Sequence, residues 1–127
     1  MKTAMRRFAT LAIIVAIVWG GVQWFGVWQA QRLGAQVARE AKSGDIVMVS
    51  SVICPYCKAA REWFTEHKVV FSECFIETEP ACAAAYNALQ APGTPVLVVR
   101  GQRQRGFDAQ RVAAALTASA TPAVVIR

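Results

Sequence analysis

Two cysteines three positions apart, Cys54 and Cys57, stand in the stretch SVICPYCKAAREWF, residues 51 to 64. Such a pair can exchange disulfides, supply half of a zinc site, or fill space as two small buried residues. The backbone around it decides between these. The run IVMVSSV, residues 46 to 52, is β-branched and apolar, as in a strand covered on both faces. Residues 54 to 67 then follow a helical pattern. Ala59, Ala60, Trp63 and Phe64 form its apolar stripe, and Lys58, Arg61, Glu62 and Glu66 its wet side. Cys54 therefore falls at a strand-to-helix junction.

The first N–H groups of a helix lack intrahelical partners, and the helix dipole adds partial positive charge there. A sulfur held at that place is stabilised as thiolate, its nucleophilic form. Pro55 suits the first turn, where a missing N–H costs nothing. Cys57 comes one turn on and on the same face, ready to attack a mixed disulfide formed on Cys54. The order is nucleophile, then resolving thiol. A zinc site would need two more ligands, from Cys74, Cys82 and the lone His67. Cys74 and Cys82 lack zinc-knuckle spacing. His67 lies about three helical turns from Cys57, where a solvated helix-end residue is expected. No metal site is expected.

A second feature is GTPV, residues 93 to 96. Thr94-Pro95 leads into an apolar strand pattern. A proline there either takes the cis form used in tight turns or opens an edge strand in trans. The dipeptide alone favours the trans form.

The remaining elements follow from periodicity and punctuation. Ser43-Gly44-Asp45 breaks a helical pattern that carries Leu33, Val37 and Ala41 at helical spacing. Val69 to Glu77 reads as a second strand, and Pro80 opens a helix running to about Leu89. Val96 to Arg100 is a third strand, with a turn at Gly101-Gln102. Arg103 to Phe107 is a fourth, short and basic. Asp108 can N-cap a last helix, Ala109 to Ala118. The tail TPAVVIR is left unassigned. The order β-α-β-α-β-β-α on so short a chain argues for one small sheet with helices on both faces.

An uncharged apolar stretch, Phe8 to Trp28, precedes all of this. It is long enough to cross a hydrocarbon core of about 30 Å, and Trp24 and Trp28 suit an interface. A cleaved signal peptide is the competing reading, with Lys2, Arg6 and Arg7 as its basic region. The run continues past Gly20 and Gly21 without a small-residue cleavage site, which favours a single uncleaved span. The basic flank votes for a cytoplasmic N-terminus. Residues 1–45 hold six basic and two acidic side chains, and residues 46–127 hold eight and six. The net charge of +6 thus reads as topology rather than nucleic-acid binding. The expected division is a basic flank and anchor over 1–28, a helical stalk or linker over 29–45, and a domain over 46–127.

CPYC at 54–57, TPV at 94–96 and the element order together resemble the thioredoxin superfamily and, within it, the glutaredoxins, whose active-site tetrapeptide is CPYC. The resemblance covers about Asp45 to Ser119. It implies a thioredoxin-like α/β fold, a four-stranded mixed sheet flanked by helices, here preceded by the single transmembrane helix. It implies that Cys54 attacks, that Cys57 resolves, and that Pro95 is cis and faces them. Pro55, Tyr56, Thr94 and Pro95 would bind substrate, the Thr94 backbone by strand addition. No cofactor is required by the resemblance, and glutathione is left open as co-substrate. Ser51 stands where glutaredoxins usually carry a lysine for the glutathione carboxylate. The GTP form is closer to periplasmic disulfide isomerases and oxidases, and RGFD keeps only Gly106 and Asp108 of the family's second glutathione contact.

Cys74 and Cys82 have no counterpart in the family core. Four cysteines allow three pairings. Cys54–Cys57 with Cys74–Cys82 is favoured, a structural disulfide suiting an oxidising compartment. Two free buried thiols are the alternative.

These readings point to a membrane-anchored thiol–disulfide oxidoreductase acting on cysteine-containing proteins at the periplasmic face of a bacterial inner membrane. Rival readings are a glutathione-linked glutaredoxin on the cytoplasmic face, a thiolate module for copper, zinc or an Fe–S cluster, and a non-catalytic adaptor.

Overall fold

The computed structural model describes residues 1–118. The expected apolar strand is β1, Ile46–Ser50, and it lies inside a four-stranded sheet of order β2-β1-β3-β4. β2 is Ser72–Phe75, β3 is Val96–Val99 and β4 is Gln102–Arg105. β1 pairs parallel with β2 and antiparallel with β3, and β3 pairs antiparallel with β4. The helices are α1 (Lys2–Glu40), α2 (Pro55–Glu66), α3 (Pro80–Ala88) and α4 (Ala109–Thr117).

Alternation along β1 divides the core in two. Ile46 and Met48, with Leu97 and Val99 of β3, face Ala60 and Phe64 of α2 and Val112 and Leu116 of α4. Each large apolar side chain fully buried there contributes roughly 1.5–3 kcal/mol relative to exposure. Val49 and Val96 face the other way and meet Cys82 of α3, with Cys74, Ile76, Tyr86 and Leu89 around them. Helices therefore cover both faces, as an apolar central strand requires.

The chain divides into two units, Met1–Arg32 and Leu33–Arg127. The first carries the apolar part of α1. It is the one helix among the described residues long and apolar enough to cross a membrane. Its side chains are exposed all along, Trp19, Trp24 and Phe25 among them. Near its end the Arg32 guanidinium lies over the Trp28 ring, 3.7 Å from the centroid.

The expected division at residue 45 differs from the observed one. The last turns of α1 belong to the second unit, with Val37 and Ala41 buried in its core and Leu33 and Ala38 packed against it. The stripe Leu33, Val37, Ala41 is thus a core face rather than a free stalk. Gly34 on the same helix lies against the His67 ring, which a Cβ at that position would strike. His67 is half-buried, and its ring meets Trp63 at 4.4 Å between centroids. It packs within the unit instead of standing in solvent.

Other boundaries shift for local reasons. Lys68 has a positive φ of 57°, and the Val69 N–H bonds to the Phe64 carbonyl at 2.8 Å. Val69 thus closes α2 instead of opening β2. Arg100 and Gly101 both have positive φ, 46° and 82°, the two-residue turn that matches strand twist in a hairpin. The turn therefore lies one residue earlier than expected, and β4 starts at Gln102. Asp108 caps α4, its carboxylate accepting from the Arg111 N–H at 3.0 Å. The tail TPAVVIR lies outside the described residues.

Candidate active site

Cys54 is the N-cap of α2, with extended backbone at φ −86° and ψ 112°. Its sulfur accepts a hydrogen bond from the Cys57 N–H at 3.1 Å. The Cys54 carbonyl accepts from the Lys58 N–H at 3.2 Å and opens the helical ladder, with Pro55 in the first turn. One of the orphan donors of the helix start is thus satisfied by sulfur instead of the usual side-chain oxygen. Cys57 is buried one turn on, and both cysteines are free thiols.

The chain segment before β3 closes the site. The Thr94–Pro95 peptide bond is cis, and the Cys54 thiol donates to the Thr94 carbonyl at 3.5 Å. Pro95 is buried, and its carbonyl accepts from the Gly106 N–H at 2.9 Å. Cys54, Cys57, Thr94 and Pro95 are thereby gathered at one end of the sheet. Pro55 and Tyr56 are exposed beside them. Val52 and Ile53 are exposed too, Ile53 at 87%. An apolar rim beside a sulfur is the kind of exposed patch that marks a contact surface.

Cys74 and Cys82 are joined in a disulfide with a Cα–Cα distance of 5.8 Å. It ties β2 to α3 within the second core cluster. Among the described residues no group of three or more His, Cys, Asp or Glu side chains is placed to hold a metal ion.

A family model described as Glutaredoxin matches residues 46–104. A solved structure of a mutant of the thioredoxin-like protein BC3987 superposes with a TM-score of 0.52 at 19% identity, covering 60% of this chain and 99% of its own. Residues 46–104 thus resemble glutaredoxins, and the fold is thioredoxin-like. No curated protein matches the chain. A glutaredoxin-like domain implies thiol–disulfide redox chemistry.

In this glutaredoxin-like domain the two thiols are electrostatically unequal. Burial acts to raise the Cys54 pKa, but hydrogen bonds from the Cys57 and Thr94 side chains and from the Cys57 and Tyr56 backbone outweigh it. The net direction is down. Burial pushes the Cys57 thiol up, and its hydrogen bond with Cys54 adds to that. At a given pH Cys54 therefore holds more thiolate than Cys57. Iodoacetamide added to the reduced chain over a pH series should modify Cys54 first. Its midpoint should lie below the ordinary thiol value and that of Cys57 above it. Mass mapping of each cysteine checks this, and equal midpoints would contradict the assignment of roles.

Three neighbours of the pair are not singled out by sequence reasoning. Glu77, just after β2, accepts the Ser51 hydroxyl and, at 3.2 Å, the Val52 N–H. It holds the loop that carries Cys54. The Ser51 hydrogen bond is also the main reason its pKa is lowered. Arg61, read as a wet-side residue, makes two 2.7 Å bonds to Glu73 of β2. Ser50, buried at the end of β1, is near Cys57. The Glu77 and Arg61 partnerships depend on β2 lying beside β1, which residue spacing does not reveal.

Proposed function

We propose that the chain is a membrane-anchored thiol–disulfide oxidoreductase. Its glutaredoxin-like domain would exchange disulfides with cysteine-containing proteins at the periplasmic face of a bacterial inner membrane. The observation that carries the reading is the Cys54 sulfur at the helix N-cap, bonded by the Cys57 N–H and beside Thr94.

In the reducing direction the Cys54 thiolate attacks one sulfur of a substrate disulfide. The second substrate sulfur leaves as thiolate and takes a proton. Cys57 then attacks the Cys54 sulfur, the mixed disulfide breaks, and the second substrate thiol is released. Two electrons pass to the substrate and the pair is left oxidised. The reverse sequence oxidises a dithiol. Thr94, Pro95, Pro55 and Tyr56 would hold the substrate chain, and the exposed Val52 and Ile53 would widen that contact.

Two observations favour protein thiols over glutathione. The Glu77 carboxylate binds Ser51, the position where the resemblance expects a lysine for the glutathione carboxylate. The rim of the site is apolar and broad. The Cys74–Cys82 disulfide and the basic N-terminal flank favour the oxidising side of the membrane.

Alkylation of intact cells with a membrane-impermeant maleimide, followed by mass mapping, tests location and chemistry together. Cys54 should be labelled from outside after mild reduction, while Cys74 and Cys82 stay paired. Labelling only after membrane rupture, with all four cysteines reduced, would place the domain in the cytoplasm instead.

A further inference from the structure

Ser50 ends β1, is fully buried, and its hydroxyl makes no hydrogen bond. A buried hydroxyl without a partner carries its desolvation cost uncompensated, and an unsatisfied group in a native fold calls for a reason. Its surroundings supply one. Cys57, in the first turn of α2, is buried beside it. Glu73 on neighbouring β2 lies on its other side, opposite Met48 in the strand register. Arg61 of α2 binds that carboxylate through two hydrogen bonds. Thr94 closes the group from the β3 side. The Ser50 hydroxyl is close enough to Cys57 and to Glu73 to favour the ionised form of each.

We propose that Ser50 is a further catalytic residue, whose hydroxyl donates a hydrogen bond to the Cys57 sulfur as that sulfur becomes the resolving thiolate. The proposal rests on the thiol–disulfide reading above. In the resting dithiol Cys57 is a neutral thiol and offers the hydroxyl little. During resolution negative charge develops on a sulfur that water does not reach. A hydroxyl already held beside that sulfur can turn to it and supply part of the missing solvation with little reorganisation. Glu73 alone would oppose that charge. Arg61 neutralises it, and its own cation also favours a Cys57 thiolate.

The balance of the step is complete without an outside reagent. The bond between Cys57 and Cys54 forms as the bond between Cys54 and the substrate sulfur breaks. The Cys57 proton ends on the departing substrate sulfur. Ser50 keeps its own proton throughout.

The test uses the full chain in detergent micelles and dithiobis(nitrobenzoate) as the disulfide probe. Rapid mixing resolves two releases of the coloured thiol, the first from attack by Cys54 and the second from resolution by Cys57. In Ser50→Ala the first release should keep its rate within about twofold. The second should slow by about three- to tenfold, the scale of one hydrogen bond. Its pH midpoint should rise. Ser50→Thr, which keeps a hydroxyl, should restore both. Should the alanine variant not fold, Ser50→Thr against Ser50→Val gives the same contrast at equal shape. A second release as fast in the hydroxyl-free variants as in the parent would overturn the role of Ser50. A parent chain with no second release at all would instead overturn the thiol–disulfide reading beneath it.

Discussion

Cys54→Ser should reduce disulfide exchange by roughly a thousandfold or more, the scale on which loss of a nucleophile acts. A serine hydroxyl at the same N-cap still accepts the Cys57 N–H, so the helix start is preserved and the loss is chemical. Cys57→Ser should behave differently. Cys54 keeps its place, and of the hydrogen bonds that lower its pKa only the one from the Cys57 side chain is altered. The first attack then proceeds and the second cannot. Mixed disulfides between Cys54 and partner proteins should accumulate, separable on non-reducing gels and dissolved by dithiothreitol. Full activity in Cys54→Ser would reject the mechanism. Equal behaviour of the two variants would reject the order of the thiols.

The largest effect on stability is expected at Arg100, far from the chemistry. Its guanidinium donates to Asp45 Oδ2 at 3.1 and 3.0 Å, to the Glu40 carbonyl at 3.2 Å and to the Leu116 carbonyl. One side chain thus joins the end of α1, the entry to β1 and the end of α4. Both charges of the pair are largely shielded, with side-chain exposures of 25% and 20%. Arg100→Ala leaves Asp45 unpaired and two helix-end carbonyls unsatisfied. The expected cost is about 2–3 kcal/mol. At 1.4 kcal/mol per tenfold, globally exchanging amides of β1 and β3 should exchange roughly 30- to 150-fold faster. Less than a threefold change would show that the network contributes little.

The pH dependence of this pair has a definite sign. Burial acts to raise the Asp45 pKa, but the Arg100 hydrogen bond, the Lys42 backbone and both cations lower it on balance. A carboxyl with a depressed folded pKa stabilises fully above its unfolded value of about 3.9 and loses this as pH falls through the folded value. The parent should therefore weaken in acid through Asp45. Arg100→Ala should lose most of that dependence.

The placing of Cys54 and Cys57 at a helix start was legible in the sequence because its logic is local. Strand residues, a cysteine, a proline and a second cysteine one turn on specify a capped helix start with two sulfurs on one face. Asp108 as a cap and the all-apolar central strand are legible for the same reason, since capping and burial act within a few residues. The fold class follows from element order and covering rules. The apolar segment from Phe8 to Trp28 likewise announces a helix able to span a membrane, although the side it faces rests on a vote of charges.

Contacts that cross between elements were decided only by the tertiary structure. Leu33, Val37 and Ala41 show a helical stripe, and a stripe alone does not say whether protein or solvent covers it. The end of α1 became part of the core because Gly34 admits the His67 ring. Arg61 looks like any helix-surface cation until β2 brings Glu73 beneath it. Glu77 and Ser51 are 26 residues apart and meet because the parallel strands β1 and β2 end side by side. Thr94 and Pro95 reach the cysteines through the antiparallel pairing of β3 with β1. Residue types and spacing thus determined where the two sulfurs sit at the helix start. Long-range strand pairing decided what surrounds it, because hydrogen bonds between strands bring together side chains with no shared local period.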